Sequence, residues 1–229
     1  DFANSHYNLG NIFKGLAELE KAEISYRKAI ELKPDFANAH YNLGNIFKDL
    51  VELEKAEISY RKAIELKPNF AEVHSNLGII LRDIGNLQEA ELSIRKAIEI
   101  KPDFAMAHSN LGSILKDLGK LQEAELSTRK AIEIKPDYAN AHYNLGNILR
   151  DIGKFNDAIN HYKKAIKFKN ELSIAKCGLI ETKGLICDWS DQKTQAIWLK
   201  NLGIEGSSVP PFGLLHYEDN PLKHLKRSQ

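Results

Sequence analysis

An asparagine recurs every 34 residues along this 229-residue chain, each time followed by leucine and glycine. A carboxamide has two N–H donors and a carbonyl acceptor, so it can bind a peptide amide at both its N–H and its C=O. An extended peptide rises about 3.3 Å per residue and neighbouring helices pack about 8–10 Å apart. One asparagine per helix pair would therefore meet every third peptide residue. The sequence predicts a ladder of peptide-binding amides, formed by Asn8, Asn42, Asn76, Asn110 and Asn144.

Two charged series accompany the asparagines on the same predicted helix face. The acidic series follows the asparagine by seven residues, and the basic series directly precedes the acidic one, with Gly15 in the acidic position of the first repeat. The members are Asp49, Asp83, Asp117 and Asp151, and Lys14, Lys48, Arg82, Lys116 and Arg150. They predict either side-chain selection along a bound peptide or a solvated, charge-balanced surface. A purely structural role of the asparagines is the alternative to the ladder.

The histidines and cysteines do not form a metal-binding pattern. One histidine stands in each repeat, as His6, His40, His74, His108 and His142, so neighbours should lie roughly 10 Å apart. Two nitrogens on one zinc ion each lie about 2.0–2.1 Å from it, so we expect these rings to pack between helices instead. Cys177 and Cys187 match no metal or disulfide framework. We predict no metal, no cofactor and no catalytic residue, because no glycine-rich phosphate loop is present either.

The composition excludes two classes of partner. Lysine and arginine total 32 against 31 aspartate and glutamate, a formal charge of +1, which gives no electrostatic footprint for nucleic acid or an anionic membrane surface. No run of 18 apolar residues suggests a membrane span. The two cysteines favour a reducing compartment, and we predict a cytoplasmic location. Because the chain opens at Asp1 without methionine, an upstream part is expected, with Asp1 and Phe2 ending a preceding repeat.

Internal repetition predicts the fold. Residues 3–36 and 37–70 differ at only four of 34 positions, and the same frame continues through 71–104, 105–138 and 139–172. A 34-residue period is the mark of the tetratricopeptide repeat, a helix–turn–helix unit. We therefore predict an all-α, right-handed superhelical solenoid in which residues 1–172 hold five repeats. The first helices should line its concave surface.

Local features support this reading and mark two departures from it. A glycine such as Gly44 in mid-helix costs about 1 kcal/mol against alanine, which predicts a close approach of the second helix. Prolines such as Pro34 should end that second helix. Thr128 stands where other repeats have tyrosine or isoleucine, which predicts a less well packed fourth repeat. Asn170 replaces the terminal proline of the fifth, so its second helix is expected to run on.

The repeat pattern degrades after residue 172. Residues 173–202 are interpreted as a divergent capping repeat, with Asp188 or Ser190 as N-cap of a helix whose Ile197, Trp198 and Leu202 should cover the end of the array. Residues 203–229 are interpreted as a linker and the start of a truncated downstream region. Three motifs in this tail resemble the junction between the repeats and the catalytic region of O-linked N-acetylglucosamine transferases: Cys187-Asp188-Trp189, Val209-Pro210-Pro211-Phe212 and Asp219-Asn220-Pro221.

The resemblance implies a role for the whole array. In that family the asparagines and aspartates of the groove contact substrate peptides, which would extend to the two series named above. The chain would then be the substrate-recognition arm of a glycosyltransferase whose catalytic part follows Gln229, and this chain alone should transfer no sugar. Phe212 stands where some members have histidine, so no catalytic role is carried over. The alternative is a stand-alone adaptor or assembly scaffold binding protein segments, with self-association as a further mode. A chaperone-tail receptor is disfavoured, because groove positions such as Asn38 and Tyr41 are not basic.

Overall fold

The protein is described by a computed structural model that covers residues 2–188 and Ser190. These residues form eleven α-helices and no strand. The helices are α1 (Phe2–Gly15), α2 (Leu19–Leu32), α3 (Ala37–Asp49), α4 (Leu53–Leu66), α5 (Ala71–Asp83), α6 (Leu87–Ile100), α7 (Ala105–Asp117), α8 (Leu121–Ile134), α9 (Ala139–Asp151), α10 (Phe155–Phe168) and α11 (Ser173–Leu185). The predicted class, an all-α helical repeat solenoid, is confirmed.

The chain divides into two compact units, Asp1–Ile114 and Leu115–Gln229, with the division inside α7. In the first unit α1 packs on α2, α2 on α3, α3 on α4, α4 on α5 and α5 on α6. In the second unit α9 packs on α8 and α10, and α11 packs on α10. The predicted capping helix with Ile197, Trp198 and Leu202 and the motifs at 209–212 and 219–221 lie outside the described residues, and the proposed domain limits stay predictions.

Helix packing within a repeat depends on the mid-helix glycine. A Cβ atom built on Gly44 would lie 2.6 Å from Cε1 of Tyr60, and one on Gly78 would lie 2.5 Å from Cγ1 of Ile94. No carbon contact is that short, so only hydrogen fits at these positions. The side chains of Tyr60 and Ile94 are fully buried as a result. The predicted close approach of the two helices is confirmed.

The end of α10 contradicts the prediction drawn from Asn170. The helix ends at Phe168, at the same position of the repeat as the other second helices. The N–H of Lys169 bonds to the carbonyl of Ala165 at 2.9 Å, as Lys33 bonds to Ala29, and the N–H of Leu172 then closes a turn onto Lys169 at 3.1 Å. A proline is therefore not needed to end this helix, because the buried Leu172 anchors the turn that follows it.

Thr128 of the fourth repeat is buried, and its hydroxyl donates to the carbonyl of Ala124 at 2.8 Å. The looser packing expected for this repeat stays a prediction.

The first repeat leaves an apolar face uncovered by described residues. Ile12 of α1 is 58% exposed, whereas Ile46 at the same position of α3 is fully buried. Leu9 and Leu43 differ in the same way, at 39% and 8%. The local sequences are almost identical, so the difference in exposure arises because α2 packs on α3.

In the region that the structure describes, no helix is both long enough and apolar enough to cross a membrane.

The turn between the two helices of a repeat requires a left-handed backbone. Gly85, Gly119 and Gly153 occupy it with φ of 88°, 75° and 86°, but Val51 stands there with φ of 61°. A side chain in this region costs about 1–2 kcal/mol, and a β-branched residue is especially disfavoured.

We expect Val51→Gly to raise the free energy of unfolding by about 1 kcal/mol, since the relief of strain exceeds the greater chain entropy of glycine. Urea unfolding followed by circular dichroism measures this. Gly85→Val is the matched reverse change and should destabilise the protein. If Val51→Gly destabilises the protein, the left-handed backbone of Val51 is not strained.

Candidate functional site

The asparagine ladder connects successive repeats in the first unit. The amide nitrogen of Asn42 donates to Oδ1 of Asn11 at 2.9 Å and to the hydroxyl of Tyr7 at 3.2 Å. Both acceptors belong to the preceding repeat. An amide nitrogen has two hydrogens, so both of those of Asn42 are engaged. The orientation of this side chain is therefore determined by the neighbouring repeat.

The same arrangement recurs one repeat later. The amide nitrogen of Asn76 lies 2.9 Å from Oδ1 of Asn45 and 3.4 Å from the hydroxyl of Tyr41. Asn45 and Asn76 are both buried. Asn110 makes a longer contact of 3.3 Å with Oγ of Ser75. The ladder is thus tightest between the first three repeats.

Three asparagines outside the predicted ladder complete this network. The hydroxyls of Tyr26, Tyr60 and Tyr162 donate to Oδ1 of Asn11, Asn45 and Asn147 at 2.8, 2.8 and 2.7 Å. Burial raises the pKa of Tyr26 to about 12 and raises the pKa of the other two tyrosines further. The hydroxyls therefore remain protonated donors at any ordinary pH.

A signal for this network was present in the sequence. The repeats with tyrosine on the second helix have asparagine three residues after the ladder position, as in Asn45 with Tyr60. The third repeat combines Ile79 with Ile94, so both partners are apolar there. This paired exchange between two positions indicates a contact between them.

The ladder leaves one atom of each engaged amide for a ligand. Since both hydrogens of Asn42 are directed to the preceding repeat, its carbonyl oxygen is the atom that can accept a bond from a peptide N–H. The same holds for Asn76. The two-point pairing expected from the sequence would require one of these inter-repeat bonds to break.

The charged series differ between the two units. In the second unit Nζ of Lys116 lies 3.6 Å from Oδ2 of Asp151 and 3.6 Å from Oδ1 of Asp117. Nη1 of Arg150 lies 3.2 Å from Oε2 of Glu181. In the first unit the carboxylates of Asp49 and Asp83 are exposed and make no ion pair with described residues. The first unit therefore presents acidic groups that can still take a basic partner.

The repeat histidines have a structural role in the described repeats. The Nε2 atoms of His40, His74, His108 and His142 lie 2.8–3.0 Å from the carbonyl oxygen of the proline six residues earlier. Each ring thus ties the first helix to the loop that precedes it. Among the described residues, no group of three or more histidine, cysteine, aspartate or glutamate side chains could hold a metal ion.

The described part of the tail is held by a buried lysine. Nζ of Lys183, which is 2% exposed, lies 3.0 Å from Oδ2 of Asp188 and 3.2 Å from Oγ of Ser190. Hydrogen bonds from Ser190 and Lys183 hold the pKa of Asp188 well below its usual range. The helix that Asp188 or Ser190 was expected to cap lies outside the described residues, as does Trp189. Cys177 and Cys187 form no disulfide.

Family models for repeats match most of the regular part of the chain. Models described as tetratricopeptide repeat match residues 37–70, 139–170 and 59–91, and one described as TPR repeat matches 18–51 and 112–149. Together they cover residues 18–91 and 112–170, more than half of the sequence. With the helix pairs and glycine contacts described above, this makes the chain a member of the tetratricopeptide-repeat family. A search among curated proteins finds no match.

Three solved structures illustrate the similarity in fold. YrrB, described as a TPR protein with an unusual peptide-binding site, is 26% identical with a TM-score of 0.60 over 74% of this chain and 88% of its own. MamA is 24% identical with a TM-score of 0.63, covering 71% of this chain and 95% of its own. PilF of Pseudomonas aeruginosa is 19% identical with a TM-score of 0.74, covering 99% and 96%. The last two similarities establish the fold alone.

Proposed function

We propose that this protein is a non-catalytic scaffold that binds extended peptide segments of partner proteins on the surface of its first helices. The observation that carries the proposal is the orientation of the Asn42 side chain, which Asn76 repeats. The amide hydrogens bond to the preceding repeat, and the carbonyl oxygen is left as the acceptor for a ligand. Oxygens repeated at the spacing of the helices suit the repeated N–H groups of an extended backbone. The peptide-binding site named for YrrB supports this class of function.

The proposed contacts divide into two kinds. The ladder asparagines contribute backbone recognition, which is insensitive to peptide sequence. The exposed Asp49 and Asp83 contribute preference for basic side chains, since they make no ion pair with described residues. In the second unit Asn144 belongs to the backbone contacts, whereas Asp117, Asp151, Lys116 and Arg150 largely neutralise one another or their neighbours. The first unit is therefore the main site in this proposal.

A glycosyltransferase recognition arm is the second candidate function. It rests on the tail motifs that resemble O-linked N-acetylglucosamine transferases, of which only Cys187 and Asp188 are described. The matched family descriptions name repeats and no glycosyl transfer. We therefore prefer a stand-alone scaffold to a glycosyltransferase arm as the proposed function. Reading the gene beyond Gln229 decides between them: a nucleotide-sugar-binding region there supports the arm, and its absence supports the adaptor.

We expect replacement of Asn42, Asn76 and Asn110 together by alanine to weaken peptide binding by about 1.5–4.5 kcal/mol, at about 0.5–1.5 kcal/mol for each hydrogen bond. The probe is one neutral glycine–serine peptide, titrated by calorimetry, with lysine-substituted and glutamate-substituted versions beside it. Changing Asp49 and Asp83 to lysine should reverse the preference between those two versions. It should leave binding of the neutral peptide nearly unchanged.

The matched control separates ligand contacts from fold. Asn11→Ala with Asn45→Ala removes the two Oδ1 acceptors of the ladder and should lower the melting temperature, but it removes no atom assigned to the ligand. If the triple variant melts lower and binds the neutral peptide as well as the parent does, the asparagines serve only the solenoid and the proposal is wrong.

A further inference from the structure

The fifth repeat departs from the others around its histidine. On the second helix, the position that holds Ser25, Ser59, Ser93 and Ser127 in the first four repeats holds His161 in the fifth. Seven residues later, the aliphatic residue of the other repeats is replaced by Phe168. Ser25 and Ser59 donate to carbonyls of their own helix, whereas Ser93 donates to the backbone carbonyl of His74 on the first helix of its repeat. In the fifth repeat the side chain at this position contacts the ring of the repeat histidine, His142.

The two rings form a close pair across the seam between α9 and α10. Nδ1 of His142 lies 3.0 Å from Nδ1 of His161, and the rings stack with centroids 5.2 Å apart. Phe168 stacks on the same His142 ring at 5.4 Å. His142 is 2% exposed, so little water reaches it.

The hydrogen-bond geometry assigns one proton to this contact. Nε2 of His142 lies 3.0 Å from the carbonyl oxygen of Pro136, and a carbonyl can only accept, so Nε2 carries a hydrogen. A neutral His142 then has a bare Nδ1, which accepts the N–H of His161. A single added proton keeps a donor facing an acceptor, because the ring that stays neutral can accept at Nδ1, whereas protonation of both rings directs two N–H groups at each other over 3.0 Å. The hydrogen bond between the rings is therefore lost only when both are protonated.

The surrounding charges also disfavour protonation. Arg129 of α8 and Lys164 of α10 act on His161, with Asp157 of α10 as the opposing acidic group. Lys164 also acts on His142. Burial is the main reason that the pKa of His142 falls below its ordinary value and that the pKa of His161 falls to about 4.

We propose that the His142–His161 pair is an acid-sensitive contact that holds α9 and α10 together and opens the fifth repeat when both rings are protonated. The unfolded chain, with an ordinary histidine pKa near 6.5, takes up these protons more readily than the folded chain. The stability contributed by the pair is therefore present above about pH 6.5 and is lost as the pH falls toward 4. Because α11 packs on α10, opening the seam also exposes the base of the tail.

The test uses His161→Ser in the full chain, because serine is the residue of the four other repeats at this position. Between pH 7.5 and pH 4.5, we expect the unfolding equilibrium constant of the parent to rise about ten- to a hundredfold more than that of the variant. Urea unfolding at each pH measures the constant. Hydrogen exchange should show the parent losing protection in α9 and α10 before α3 and α4, with no such order in the variant.

Parallel pH profiles for parent and variant would overturn the proposal, as would a variant that is destabilised equally at every pH. A titration of the histidine ring signals by NMR in the unchanged chain decides the matter without any variant. Two rings titrating well below 6.5 support the proposal, and two rings titrating near 6.5 exclude it.

Discussion

Replacing Tyr60 with alanine is expected to lower the free energy of unfolding by about 3–5 kcal/mol, the cost of removing a fully buried aromatic side chain. Tyr60 has no exposed surface, its ring lies tilted by 39° against that of Tyr41 with centroids 6.2 Å apart, and its hydroxyl donates to Oδ1 of Asn45. Chemical denaturation of the parent and the variant measures the loss. Tyr60→Phe keeps the ring and should cost only about 0.5–1.5 kcal/mol, the value of the hydroxyl bond.

A double-mutant cycle with Gly44 tests the contact itself. Gly44→Ala forces a Cβ atom to 2.6 Å from the Tyr60 ring and should cost about 1–3 kcal/mol as overpacking. In the Tyr60→Ala background the ring is gone, and alanine is the better helix former by about 0.5–1 kcal/mol. In the Tyr60→Ala background, Gly44→Ala should therefore be neutral or stabilising. Additive losses would show that the glycine does not serve the close approach.

Ile46→Ala should cost about 2–5 kcal/mol, whereas Ile12→Ala should cost less than about 1 kcal/mol. The two isoleucines occupy the same position in nearly identical repeats, but Ile46 is fully buried and Ile12 is 58% exposed. Each is thus the control for the other, because helix propensity and local sequence cancel. The comparison is made by urea unfolding at one protein concentration. Equal losses would mean that the face of α1 is covered in solution, and a concentration-dependent loss for Ile12 would identify a second copy as the cover.

The sequence alone determined the repeat and most of its helices. The 34-residue period, the apolar stripe that includes Leu43, and mid-helix Gly44 are local patterns, and each implies a helix that must pack closely on its successor. These features are predictable because neighbours within one repeat are brought together by the chain itself. The end of α10 shows the limit of such reasoning, since a missing proline did not extend the helix once Leu172 anchored the turn.

Tertiary structure decided what the asparagines can offer a ligand. Asn42 bonds to residues 31 and 35 positions earlier, so the direction of its amide depends on how one repeat stacks on another. A pattern within one repeat contains no information about that register. The same reason applies to the pair of His142 and His161, whose rings meet only because α9 and α10 pack at that position. The sequence supplied the polar groups, and packing between helices decided which of their atoms remain to bind.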